Sequence, residues 1–160
     1  MGNKKNIMRK IKSALISVSD KSNLKPLLEI LKKNNIKLIS SGGTFKAIRK
    51  LKFQCLEISN FTGSNEILDG RVKTLHPKIH AGILNKRKNK THLKEMKFEN
   101  FENIDLVIVN FYQFEEALKK TKNHNKIIEN IDIGGPTLVR AAAKNYNDVT
   151  VITSIEQYSE

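Results

Sequence analysis

The chain has 160 residues, of which 39% are hydrophobic, with 8 glycines and 3 prolines, which suits one folded domain and excludes a disordered or collagen-like chain. Its formal net charge of +13 raises the question of a nucleic-acid partner. The basic excess is mostly lysine, aromatic residues make up only 6% and Trp is absent, so we expect no nucleic-acid function.

Residues 1–12 are predicted to be a basic N-terminal extension, and residues 13–160 the domain itself. The apolar run at 13–19 predicts a first strand, and the polar residues after it predict a turn and helix cap. The alternation then continues as helix, strand, helix and strand, at 24–31, 36–39, 45–51 and 53–58. This pattern of alternating elements predicts a parallel sheet with crossover helices.

The second half of the chain begins with residues 61–85, which fit neither periodicity and are predicted to form a long functional loop. A lysine-rich surface segment follows at 86–97. The strongest buried-strand pattern lies at 104–110, where five of seven residues are Ile, Leu or Val. Helices are predicted at 114–120, 126–130 and 136–144, and a last strand at 149–153. The fold class is therefore α/β, a three-layer, doubly wound and mostly parallel sheet.

The sequence also allows predictions of the cellular compartment of the protein and of whether the domain is truncated. Cys55 is the one cysteine and lies in an apolar run, so we expect it to pack in the core of a reduced, cytoplasmic protein. The basic N-terminus precedes an apolar stretch too short for a signal peptide, and no run is long enough to span a membrane. A helix starting after Ser154 is interrupted at Glu160, so we expect the domain to be truncated at its C-terminus.

Polar segments follow three of the predicted strands. Ligands of doubly wound sheets bind beyond the carboxyl ends of the strands, so these segments are expected to line one crevice. The glycine pair in the second segment lets the backbone approach an anion at a helix N-terminus, although such a pair also serves as a plain connection. The three segments are Ser19-Asp20-Lys21, Ser41-Gly42-Gly43-Thr44 and Asn110-Phe111-Tyr112.

The segment at 70–77 adds a cationic pair. Arg71 and Lys73 are two residues apart, so both side chains share one face of an extended chain. A solvated basic loop is the alternative, but the interleaved apolar residues favour a clamp for an anion. His76 and His80 have the spacing of two metal ligands on a helix, but Pro77 interrupts the turn, and we assign no metal.

Asp132 precedes another glycine pair, and Lys144 ends the helix that follows it. One interpretation is an N-cap acid and a C-terminal cation that complement the helix dipole. The other is that this small-residue helix buries its ends beside a cleft, where the pKa of a lysine is lowered.

Read together, the motifs SVSDK, SGGT, GRVKTLHPKIHAGIL, NFYQF, IDIGGPTLVRAAAKN and VTVIT cover about residues 13–153. In this order they closely resemble the IMP cyclohydrolase domain of bifunctional purine biosynthesis proteins. The resemblance implies a methylglyoxal-synthase-like fold and a hydrolase that closes 5-formamido-imidazole-4-carboxamide ribotide to IMP with loss of water. This reaction is the last step of de novo purine synthesis and needs no cofactor.

The resemblance also implies roles for individual residues. Lys73 and Tyr112 are expected to stabilise the developing oxyanion, and Asp132 and Lys144 to move protons. Gln113 and Pro136 depart from the family's usual pattern without removing a catalytic group. The catalytic residues implied are Lys73, Tyr112, Asp132 and Lys144, and the substrate-binding residues are Ser19, Asp20, Lys21, Ser41, Gly42, Gly43, Thr44, Arg71, Val72, Lys73, Thr74, Asn110, Phe111, Asp132 and Ile133.

Full-length members of this family also carry a transformylase domain that uses 10-formyltetrahydrofolate, which makes them transferases as well. That domain is not found in these 160 residues. The expected partners are the phosphorylated imidazole ribotide and IMP, with a homodimer in the full-length form. The alternatives are a methylglyoxal synthase, a regulatory nucleotide-binding module of the same fold and, third, a nucleic-acid-binding module.

Overall fold

The computed structural model of the protein describes residues 9–111 and 114–159. Its strands are β1 Ser13–Val18, β2 Lys37–Ser40, β3 Leu56–Glu57, β4 Leu106–Asn110 and β5 Thr150–Ile152. They form one five-stranded sheet in the order β3-β2-β1-β4-β5. Every neighbouring pair is parallel, as the alternation of elements predicts.

Helices connect the strands and pack on the sheet. They are α1 Leu24–Lys33, α2 Gly42–Lys50, α3 Ile58–Thr62, α4 Pro77–Leu84, α5 Lys90–Phe98, α6 Phe114–Lys120, α7 His124–Ile128 and α8 Gly134–Lys144, with a final 3-10 helix at Ile155–Ser159. No helix in the described part of the chain is both long and apolar enough to cross a membrane.

The central strand β1 is buried on both faces of the sheet. Leu15 pairs with Ile39 on one side and with Val107 on the other. Because successive side chains of a strand point to opposite faces, Leu15 belongs to one core, while Ala14 and Ile16 belong to the second. Apolar residues on both faces are what a strand in the middle of a parallel sheet requires.

Each core is closed by its own helices. The core around Ile16 contains the leucines of α1 and Ile48 of α2, and Cys55 packs against it, so that burial raises the pKa of this thiol to about 12. The core on the opposite face contains Ile79 of α4 and Leu138 of α8. The protein is therefore a three-layer, doubly wound α/β domain, which confirms the fold class expected from the sequence.

The predicted boundaries fail mainly at the starts of helices. A strand was expected over 53–58, but β3 ends at Glu57 because Ile58 already belongs to α3. Helices α2 and α8 begin earlier than predicted, at Gly42 and Gly134. A glycine at a predicted turn therefore belongs here to the first turn of a helix.

The segment 61–85, expected to be irregular, contains the whole of α4. Pro77 occupies the first turn of this helix, where its missing N–H is no loss. The His76 side chain caps the same helix, because its Nδ1 accepts a hydrogen bond from the backbone N–H of Lys78 at 3.1 Å. The lysine-rich segment at 86–97 is also helical, since it forms most of α5.

Candidate active site

A cavity of about 490 Å³ opens at the carboxyl ends of the central strands. Strand β1 has β2 on one side and β4 on the other, so the chain order reverses here, and this is where doubly wound sheets bind ligands. The residues predicted for the site that line this cavity are Ser19, Lys21, Ser41, Gly43, Thr44, Arg71, Lys73, Thr74, Asn110, Asp132 and Ile133.

The floor of the cavity is held together by Asn110 at the end of β4. Its side-chain oxygen accepts hydrogen bonds from the backbone N–H groups of Ser19 at 2.7 Å and Asp20 at 3.0 Å. Its amide nitrogen donates to the carbonyl of Asp20 at 2.9 Å. The Ser19 hydroxyl donates to the carbonyl of Phe111 at 2.8 Å. One amide side chain thus joins the loops that follow β1 and β4.

The segment after β2 forms the N-terminus of α2. Gly42 has a φ of +53°, a conformation that favours glycine, and it follows the cap residue Ser41. The buried Thr44 hydroxyl fixes this turn to β1, because it accepts from the N–H of Val18 and donates to the carbonyl of the same residue. No acidic residue lies in the first turn of α2, so its free N–H groups face the cavity without a carboxylate partner from that turn.

Lys73 brings a positive charge to this helix terminus. Its Nζ lies 3.4 Å from the position that a Cβ would take at Gly42 and 3.6 Å from the one at Gly70. A larger residue at either glycine would crowd the ammonium group. The nearest carboxylate oxygen, on Glu66, is 4.0 Å away, which makes this a loose ion pair. Lysine and helix terminus together favour a bound anion.

The loop that carries Arg71 and Lys73 is a tight turn. Ile67 and Val72 exchange backbone hydrogen bonds across the turn. Within the turn, Leu68 has a φ of +55° and Asp69 a φ of +52°. Arg71 leaves this turn on the cavity side, where its guanidinium pairs with both carboxylate oxygens of Glu129.

Asp132 lies at the N-terminus of α8. Its Oδ1 accepts a hydrogen bond from the N–H of Gly135 at 2.9 Å, so the acid binds a free N–H of the first turn, although the N-cap residue is Ile133 and not Asp132 as one interpretation of the sequence expects. A Cβ at Gly134 would lie 2.7 Å from the Thr74 hydroxyl. The cationic loop and the start of α8 therefore touch through this glycine, which brings Lys73 and Asp132 to the same cavity.

Gly135 has no room for a side chain, and this supports a prediction. A Cβ there would lie 2.6 Å from Oδ2 of Asp132 and 3.2 Å from Phe111. We expect Gly135→Ala to reduce the free energy of unfolding by about 1–3 kcal/mol, because the added methyl displaces the capping carboxylate. Urea-induced unfolding measures this change. The matched control is Ala143→Ser, which adds one atom at an exposed position of the same helix; an equal effect of both variants would contradict the explanation.

Not every predicted residue lies at this cavity. Tyr112 and Gln113 are outside the described residues. The expectation that Lys144 lies in a cleft at the end of α8 is wrong within one chain, because this lysine is exposed and does not line the cavity. It is ten residues from Gly134, and at about 1.5 Å per residue the two ends of the helix are about 15 Å apart. Asp132 and Lys144 of the same chain are therefore not in direct contact.

Four further predicted residues lie next to the cavity rather than in its lining. Gly42 neighbours the Lys73 ammonium, and Phe111 contacts the start of α8. Val72 closes the tight turn. Asp20 lies at the rim, where the backbone N–H of Ser22 donates to its carboxylate and lowers its pKa.

The sequence motifs missed the segment that forms the mouth of the cavity. Residues 128–131, including Glu129, line it, and Asp69 lines it from the tight turn. Glu129 stands in a polar, helix-like stretch with no motif of its own. The only available signal was its position three residues before Asp132, since the chain leading to a site residue has to pass near the site.

The fold and the site define a class of protein: a parallel α/β domain with a polar cavity at the point where the strand order reverses. The family model described as MGS-like domain matches residues 23–137. The chain belongs to the MGS-like domain family.

Similar proteins come from purine biosynthesis. The chain is 49% identical over 148 residues to the bifunctional purine biosynthesis protein PurH of Prochlorococcus marinus, with 92% of this chain and 29% of that protein covered. It is 50% identical over 150 residues to PurH of Acetivibrio thermocellus, with 93% and 29% covered. The chain thus spans less than a third of the length of these curated relatives.

A solved structure gives the same fold. The structure described as "Crystal structure of ForH" superposes with a TM-score of 0.81 at 32% sequence identity. The match covers 93% of this chain and 76% of that chain.

Proposed function

We propose that this chain is an IMP cyclohydrolase domain, which closes 5-formamido-imidazole-4-carboxamide ribotide to IMP with release of water. The observation that carries the proposal is the position of the Lys73 ammonium at the glycine-rich N-terminus of α2, in a cavity that Asp132 also lines. An anionic ribotide needs a cationic end and a polar end in one pocket. Similarity to PurH proteins over nearly the whole chain supports purine biosynthesis as the setting.

The phosphate of the ribotide would bind at the cationic end. The N-terminus of α2 offers N–H groups, and the ammonium of Lys73 supplies a charge beside them. The backbone of Gly43 also lines the cavity and, with nothing within 4 Å of its Cβ position, leaves space for a bulky phosphate. Asn110 and Ile133 would contact the imidazole end of the ligand, because they line the cavity beside the start of α8.

The reaction joins two groups of one molecule, so no cofactor is required. The carboxamide nitrogen attacks the formyl carbon, a C–N bond forms, and the formyl oxygen becomes the hydroxyl of a carbinolamine. Loss of a proton from the ring nitrogen and of that hydroxyl as water gives the hypoxanthine ring. Holding the two groups in contact supplies much of the rate. Lys73, with Tyr112, would stabilise the oxygen as its negative charge develops, and Asp132 would move the proton.

Lys144 enters this proposal only through a second copy of the chain. It is exposed at the far end of α8 from Asp132, so it cannot reach the cavity of its own chain. A homodimer would allow it to reach the cavity of the partner. We therefore propose the proton-transfer role of Lys144 for a dimer, in which each cavity combines Lys73 and Asp132 of one chain with the lysine of the other.

Direct turnover tests the function. The purified chain is mixed with the formamido ribotide, and IMP formation is followed by absorbance, with Lys73→Met as the inactive control. We expect IMP to accumulate with the wild-type chain alone. IMP binding without turnover would replace the cyclohydrolase by a regulatory nucleotide-binding module. Absence of both binding and turnover would contradict nucleotide function at this cavity.

A further inference from the structure

An ion pair between Arg71 and Glu129 lies at the mouth of the cavity. The Arg71 Nε donates to Oε2 of Glu129 at 3.2 Å, and the Nη2 group donates to Oε1. Both oxygens of the carboxylate are thus engaged by one edge of the guanidinium. The two residues come from separate segments, the turn before Lys73 and the end of α7, and both line the cavity.

This pair occupies the donors that an anionic ligand would use. The guanidinium edge matches a carboxylate and a phosphate with the same two parallel N–H groups. A phosphate and the Glu129 carboxylate therefore cannot both bind that edge of Arg71. Lys73 differs, because its carboxylate neighbour Glu66 is 4.0 Å away and leaves most of the ammonium free.

The pair is also easy to separate. The side chains of Arg71 and Glu129 are 64% and 56% exposed, and water replaces much of the attraction between exposed charges. Its hydrogen bonds raise the pKa of Arg71 and lower that of Glu129, so both groups are charged at neutral pH. An incoming dianion would compete with a singly charged carboxylate for the same fork.

We propose that Glu129 is an internal competitor for the anion site, which occupies the Arg71 fork in the empty protein and is displaced by the anionic group of the ligand. Displacement frees the end of α7, so the residues at 128–131 open the mouth as the ligand enters. Glu129 thereby sets the affinity of the cavity for anions without contacting the reacting atoms. The identity of the natural ligand rests on the proposed function, but the competition applies to any phosphate.

The test is Glu129→Gln, with inorganic phosphate and IMP as probes and isothermal titration calorimetry as the measurement. We expect both anions to bind about three- to tenfold more tightly, because Arg71 is released from its carboxylate partner. The matched control is Glu102→Gln, which removes an equally exposed carboxylate, paired with Lys37 at 2.7 Å at the start of β2. This control is expected to change the affinity less than twofold.

A second background makes the test specific for the pair. In Arg71→Ala, the additional Glu129→Gln change is expected to give no further gain for phosphate. Thermal unfolding of each variant verifies that it is folded. Equal gains from Glu129→Gln and Glu102→Gln, a gain that persists without Arg71, or no phosphate binding by Glu129→Gln would each overturn the proposal. The proposed function is judged separately, by turnover of the wild-type chain with the formamido ribotide.

Discussion

Lys73→Met is expected to lower the rate of IMP formation by about 10²–10³-fold, which is typical of losing one preorganised group that stabilises an oxyanion. The Lys73 ammonium lies beside Gly42 and Gly70 within the cavity, and its loose contact with Glu66 leaves it available to the substrate. Met retains the length of the side chain but not its charge. Single-turnover formation of IMP under saturating ribotide measures the effect on the chemical step.

The control for this prediction is Lys37→Met, which removes an exposed lysine. Lys37 is the first residue of β2, so it lies at the amino end of this strand, whereas the cavity lies at the carboxyl ends. Its turnover is expected to stay within about twofold of the wild-type chain, because an exposed pair contributes little. If Lys73→Met turned over at a similar rate to this control, Lys73 would be no more than a surface cation. A rise in KM with unchanged kcat would limit its role to binding.

Lys144→Gln is expected to leave IMP binding measurable and to reduce cyclisation by at least about 10²-fold, as for a lost proton donor. Since Lys144 lies about 15 Å along α8 from Gly134, the proposed dimer assigns it to the cavity of the other chain. Mixing equal amounts of the inactive Lys73→Met and Lys144→Gln chains is therefore expected to restore about a quarter of wild-type activity. Half of the dimers would be mixed, and each mixed dimer would hold one intact site.

Native mass spectrometry verifies that the two variants exchange chains. A mixture of Lys144→Gln with the wild-type chain calibrates the fraction of dimers that are mixed. Exchange without restored turnover would contradict the shared site. Full turnover by Lys144→Gln alone would remove this lysine from the mechanism.

Local sequence patterns predicted the parts of the fold whose position depends on neighbours in the chain. The apolar run leading to Asn110 forms the buried strand β4, because a strand covered on both faces needs apolar residues throughout. The glycine pairs at Gly42 and Gly134 mark helix starts that face the cavity. Three-dimensional convergence of the loops followed from the rule that parallel strands present their carboxyl ends at one edge.

Residues whose position depends on distant parts of the chain were beyond such reasoning. Glu129 meets Arg71 across 58 residues of sequence, and nothing near either residue indicates the partner. The family resemblance implied that Asp132 and Lys144 act in one site, although a straight helix separates its two ends by its full length. Strand β3 was predicted too long because its flanking apolar residues are buried in the core without belonging to a strand. Phe53 precedes β3, and Ile58 already belongs to α3.

The Asn110 amide that joins the loops after β1 and β4 has a consequence for folding. Its partners Ser19 and Asp20 are 91 and 90 residues away, so these bonds form only after a long segment of chain has closed. Pairing of β1 with β4 is equally non-local, which slows folding in general. Ligand binding therefore reports on the completed domain. A ligand that binds only this state stabilises it by a free energy that grows with the logarithm of the ligand concentration above Kd, and it protects the chain from proteolysis.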